Sequence, residues 1–109
     1  MECLNRIEIQ GRVSNIRLTP VQDKTMAQMS VATDYAYRDR NNMPVVETTW
    51  HNVIAWEGVK TQDIKSIKKN DIVRVVGRVR TRTYITSSGD KAISYEVFAN
   101  EVSLIQKSE

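Results

Sequence analysis

Glu47-Thr48-Thr49-Trp50-His51-Asn52-Val53-Ile54-Ala55-Trp56 holds both tryptophans and the only histidine of the chain. The period of two that a strand requires puts Thr48, Trp50, Asn52, Ile54 and Trp56 on one face, and Thr49, His51, Val53 and Ala55 on the other. The two indoles therefore point the same way. At strand rise they stand roughly 20 Å apart, suited to two separate platforms along one elongated ligand. Large aromatics are most often core residues, and spacing alone favours that reading. The flanking segments shift the balance.

Upstream, Met26 to Asp34 reads as a strand with Ala27, Met29, Val31 and Thr33 on one face. Tyr35 to Pro44 combines two tyrosines, two arginines, two asparagines and a proline, the composition of a long mobile hairpin tip. The first strand runs from Asn5 to Val13, alternating Ile7, Ile9, Gly11 and Val13 with Arg6, Glu8, Gln10 and Arg12. Gly11 marks a bulge or a close backbone approach where the sheet bends. The polar stretch with Pro20, Asp23 and Lys24 reads as a loop.

Downstream, Gly58 to Lys69 changes period, with Val59, Ile64 and Ile67 among polar residues and Asn70 able to take a left-handed cap, so a short helix is expected. From Asp71 to Thr83 the alternation returns. Val73, Val75, Gly77 and Val79 form an apolar side, against Arg74, Val76, Arg78, Arg80 and Arg82. Ser87-Ser88-Gly89-Asp90 is turn chemistry, and a final strand runs from Ile93 to Leu104. Its phase slips before Val102 and Leu104, which predicts a bulge or a switch between sheets.

With 109 residues the chain suffices for one domain, spanning 1–109. A lone cysteine, Cys3, cannot form an internal disulfide and has no partner nearby for a zinc site. No apolar run reaches the length of a membrane helix or a signal-peptide core, so a soluble protein of a reducing compartment is expected. The net charge of +3 is only mildly basic. Its distribution says more, since Lys60 to Arg82 carries many basic residues against Asp63 and Asp71 alone. Four arginines on one strand face with no acid among them are better explained by a phosphate backbone than by solvent.

Five strands in the order strand-strand-strand-helix-strand-strand, with connections compatible with antiparallel pairing, predict an all-β Greek-key barrel of the OB-fold type with one short α-helix between strands 3 and 4. Such barrels hold oligonucleotides or oligosaccharides on one face and its long hairpins.

The chain resembles the bacterial single-stranded DNA-binding proteins from Asn5 to Ile105. The resemblance rests on Asn5-Arg6-Ile7-Glu8-Ile9-Gln10-Gly11-Arg12-Val13, Ser30-Val31-Ala32-Thr33, Glu47-Thr48-Thr49-Trp50-His51 and Val76-Gly77-Arg78-Val79-Arg80-Thr81-Arg82. It implies base stacking at Tyr37, Trp50, Trp56 and Tyr84, and a subunit contact at His51 with Asn5, Ile7 and Ile9. It also implies a homo-oligomer, tetramer or dimer, in the bacterial cytoplasm with the nucleoid. Members usually continue into a flexible linker and an acidic tip that recruits partner proteins; this sequence stops at Glu109 without either, so tail-mediated partners are not expected. The expected DNA contacts are thus Trp50, Trp56, Tyr37 and Tyr84 for bases, and Arg74, Arg78, Arg80, Arg82, Arg38 and Arg40 for phosphates.

No cofactor, metal or catalytic residue is expected. His51 has no second histidine to complete an acid-base or metal pair, and Asp34, Asp39 and Asp63 do not form the acidic cluster a nuclease needs. Two other functions remain in view: an accessory protein resembling primosomal replication protein N, acting mainly through partners, and a small nuclease, which the missing clusters disfavour.

Overall fold

Residues 2–108 are described by a computed structural model. Its strands are β1 (Ile7–Val21), β2 (Lys24–Arg38), β3 (Pro44–Trp56), β4 (Ile72–Ile85) and β5 (Lys91–Gln106), with a 3-10 segment at Val59–Lys65. They close a barrel in the order β1-β2-β3-β5-β4. The all-β, five-stranded barrel expected from the sequence is therefore present. The chain end at Glu109 lies outside the described residues.

β1 is far longer than its clean alternation suggested, and the expected loop around Pro20 is strand. The cause is a register shift between Val13 and Asn15. One extra residue, Ser14, reverses the phase, so Ile16 and Leu18 pair with Met29 and Ala27 and carry on the apolar side that Val13 leaves. Two residues, Gln22 and Asp23, then turn the chain, with Gln22 at φ 57°. β5 shows the slip the sequence predicted: Val76 pairs with Glu101 but Gly77 with Ala99, leaving Asn100 as the extra residue.

The strands joined by hairpins pair antiparallel, but one pairing in the barrel is parallel. β3 and β5 pair in parallel over Val53–Ala55 and Val97–Ala99, and this short seam closes the barrel. Side chains on the inward face of every strand meet there, with Val13, Ala27, Met29, Val31, Val53, Ala55, Val73, Val75, Val97, Ala99 and Val102 forming the core. Ile64 and Ile67 cap one end. At Gly11 and Gly77 neighbouring strands approach too closely for a side chain. A Cβ at Gly11 would overlap the Ala32 carbonyl, and one at Gly77 the Phe98 carbonyl.

The helix expected between strands 3 and 4 is a 3-10 segment and not an α-helix. Thr61 breaks it with φ −129° and ψ 34°, because its hydroxyl donates to the Trp56 carbonyl at 2.5 Å and so competes with helical pairing. Lys68 and Lys69 follow the segment. Asn70 is left-handed as expected, at φ 76°, but it serves the start of β4. Its amide donates to the Val13 carbonyl, and the Val13 amide to the Asp71 carbonyl.

Asp71 is fully buried and fastens the C-terminal residues. Its carboxylate accepts from the backbone amides of Ser108 and Lys68, both at 2.8 Å, and from the Lys107 ammonium at 3.3 Å. These donors, Ser108 first, hold its pKa at about 2.

Candidate nucleic-acid interface

The parallel seam decides what lies beside what. Val53 and Val97 face the core as a pair, so Ile54 and its partner Phe98 point to the opposite side of the sheet, where Ile54 is nonetheless buried. Counting by two from these residues places Trp50, Asn52 and Trp56 of β3, Glu96 and Phe98 of β5, and Arg78, Arg80, Arg82 and Tyr84 of β4 on the same outer surface. The third, fifth and fourth strands are neighbours in the barrel, so this surface is continuous.

Trp50 is 57 % exposed and not a core residue. Opposite it on β2 stands Ala32, too small to cover the indole. Trp56 is half-buried at the far end of β3, across from Met26. Tyr84 projects near the tip of the β4–β5 hairpin, opposite Ala92.

Tyr37 is not on this surface. It follows Val31, Thr33 and Tyr35 on the inward-facing side of β2, and its ring lies 5.9 Å from that of Tyr35. Arg38 does face outward, and its guanidinium donates to the Asn42 carbonyl within the hairpin tip. Arg40 sits in the turn between β2 and β3. Half of the stretch read as a mobile tip is ladder, with Asp39 to Met43 outside the strands. The Asp39 carboxylate accepts from the Asn41 and Met43 amides and orders that turn.

The arginines of β4 are not unopposed, because neighbouring strands supply the acids that β4 itself lacks. Arg74 is paired with Glu8 of β1, whose carboxyl is held below the usual range chiefly by the Arg74 hydrogen bond. Arg80 lies across from Glu96 of β5 and donates through Nε at 2.7 Å and Nη2 at 2.5 Å to its Oε1. Arg82 is more loosely placed, with Nη1 3.9 Å from Glu96 Oε2. Arg78 and Arg80 both lie on the Phe98 ring, at 4.8 and 4.7 Å from its centroid, within cation–π range.

Glu96 and Phe98 escaped the sequence reading, which followed the apolar Ile93, Tyr95, Val97 and Ala99. Their signal was present. Once Ser87 to Asp90 is taken as the turn of a hairpin, pairing Ile85 with Lys91 sets Arg80 opposite Glu96 and Arg78 opposite Phe98.

His51 faces the other way, as its position in β3 required. Its Nε2 lies 2.9 Å from the Thr33 hydroxyl, and partial burial lowers its pKa and favours the neutral ring. Beside it, Ile7, Val79 and Tyr95 line a small cleft. Ile7 and Ile9 are half-buried and pack against the core. Asn5 extends the β1–β4 ladder, donating to the Val79 carbonyl at 2.8 Å and accepting from the Val79 amide at 2.9 Å.

Known proteins share both the sequence and this architecture. A "Single-stranded DNA-binding protein" of Neisseria meningitidis serogroup A is 29% identical over 105 aligned residues, with 94% of this chain covered. The chain spans 60% of the length of that relative. "Single-stranded DNA-binding protein 1" of Xylella fastidiosa is 27% identical, with 100% of this chain and 82% of that protein covered. Among solved structures, a Plasmodium falciparum SSB in complex with ssDNA superposes with a TM-score of 0.82 at 26% identity, covering 99% of this chain and 98% of the other. A Thermus aquaticus single-stranded DNA binding protein shares the fold, with a TM-score of 0.74 at 15% identity over 94% of this chain and 51% of that one. The match to the Single-strand binding protein family runs over residues 4–105, through every strand of the barrel, and the chain belongs to that family.

Proposed function

We propose that this chain binds single-stranded DNA without reading its sequence, coating and protecting exposed strands in replication, recombination and repair. The observation that carries the reading is the continuous outer surface of β3, β5 and β4, where Trp50, Trp56 and Tyr84 stand among Arg78, Arg80 and Arg82. Any base has a π face, so aromatic platforms accept every sequence, while guanidinium groups neutralise the backbone. Removal of hairpins follows from mass action, because a protein that holds strands and not duplex shifts the melting equilibrium. The role is one of binding and needs no cofactor. Among the described residues no helix is long and apolar enough to cross a membrane; a nucleoid-associated place in the bacterial cytoplasm fits the ligand.

The chain works as a homo-oligomer, a tetramer or dimer, with His51, Asn5, Ile7 and Ile9 near a subunit contact. Exposed apolar side chains at Val79 and Tyr95, beside His51, support that placement. The test is a fluorescence titration with oligo(dT) beside a duplex of equal length. Tryptophan quenching by the strand and none by the duplex is expected; equal binding of both overturns the reading.

A further inference from the structure

Glu96 is only 3% exposed, yet it projects from the outer surface that carries the arginines. One of its oxygens takes both Nε and Nη2 of Arg80, and the other faces Nη1 of Arg82. Two donors of Arg80 thus converge on a single carboxylate oxygen, and these are donors a phosphate oxygen would otherwise use. Arg80 is held a second time by the Phe98 ring beneath it. Arg78 on the same ring has no carboxylate within ion-pair distance among the described residues, and the Arg82 side chain is 64% exposed. The arginines of this surface are thus unequal: Arg80 is occupied, Arg82 is partly held, and Arg78 is free of acids.

Resting on the reading of the chain as a single-strand binder, we propose that Glu96 is a built-in competitor for the DNA backbone. It keeps Arg80 out of phosphate contact and holds Arg82 back, so it sets how tightly, and with what sensitivity to salt, a strand is held. A phosphate arriving at Arg82 has to displace a carboxylate already there, whereas at Arg78 it displaces only water and counterions. The buried carboxylate cannot leave Arg80, because an unpaired charge in that position is costly. Glu96 therefore trades affinity for ready release.

The experiment compares the salt dependence of oligo(dT) binding by the unaltered chain and by Glu96→Gln, which keeps the side chain's shape and removes its charge. Each phosphate contact adds about 0.7 to the log-log salt slope. Glu96→Gln is expected to steepen the slope by about 0.7 to 1.4, one or two contacts; with one extra contact and the two chains converging near 1 M, it binds about eightfold tighter than the unaltered chain at 50 mM. A slope equal to that of the unaltered chain, in a variant that melts cooperatively, overturns the proposal alone. An unaltered chain that binds no oligo(dT) even at about 20 mM salt overturns the single-strand reading and the proposal together. If Glu96→Gln does not melt cooperatively, the double variant Glu96→Leu with Arg80→Met, which removes both charges of the pair at once, takes its place. A steeper slope in a chain with one arginine fewer supports the proposal, and an equal or shallower slope overturns it.

Discussion

Tyr37 and Trp50 stand on opposite faces of one hairpin. Tyr37 pairs with Val45 and Trp50 with Ala32 in a β2–β3 ladder without a register shift, so the odd and even residues of each strand point to opposite sides. A strand laid along the outer surface meets Trp50 directly. Trp50→Ala is expected to weaken oligo(dT) binding about tenfold or more, within the range of about 1 to 3 kcal/mol for one stacked base. Tyr37→Ala should cost less and leave most of the tryptophan quenching intact. Titrations of both variants check this; equal losses would put both rings on one path.

Charge substitutions should separate in the same way. Arg78→Ala is expected to flatten the salt slope by about 0.7, the share of one phosphate. Arg74→Ala should change it little, because Arg74 is paired with Glu8. Binding isotherms at several salt concentrations decide the matter, and an equal flattening in both variants would mean that the Glu8 pair opens for DNA.

Gly77→Ala places a methyl group on the Phe98 carbonyl and against the Ala99 Cα. Both neighbours are backbone and cannot swing aside. A loss of roughly 1 to 3 kcal/mol in a urea melt is expected, the usual range for overpacking. Gly89→Ala makes a useful contrast, since at φ 88° its penalty is one of backbone conformation, with open space around it. If Gly77→Ala melts like the unaltered chain, the crossing of β4 and β5 is looser than described.

Asp71 ties stability to acid. Its folded pKa of about 2 lies below the ordinary value of 3.8, chiefly because the Ser108 and Lys68 amides donate to the carboxylate. A depressed carboxyl stabilises the fold fully above its unfolded pKa and progressively less as pH falls through that value towards 2. The melting temperature should therefore drop between about pH 4 and pH 2, and Asp71→Asn should lose part of that drop while starting lower at neutral pH. Melts across this range test it; an unchanged pH profile in Asp71→Asn would remove Asp71 as the cause.

The His51 ring is bonded to Thr33 and borders the cleft lined by Ile7, Val79 and Tyr95. His51→Tyr is expected to lower the native mass at low protein concentration, with weaker binding to long strands following from lost multivalency. Native mass measurement over a dilution series checks this. Full mass at every concentration would place the subunit contact elsewhere.

Alternation alone determined most of the barrel. The inward residues of β2, β3 and β4 were legible because a period of two with one buried face allows no other register, and the phase slip in β5 announced its bulge. The outward direction of Trp50 relative to Val53 and Ala55 followed from the same parity, as did the opposed direction of His51. What parity could not supply is which strands become neighbours. The parallel seam of β3 with β5 joins residues more than forty positions apart, and nothing local encodes it. Only that seam brings the indoles beside the arginines. It likewise took tertiary packing to extend β1 past Ser14, because one extra residue hides the continuing pattern of Ile16 and Leu18 from a fixed period. The arginine stripe was legible as charge, but its partners were not. Glu8 and Glu96 reach it from adjacent strands, and whether an arginine is free or occupied depends on distances of a few ångströms that the barrel alone sets.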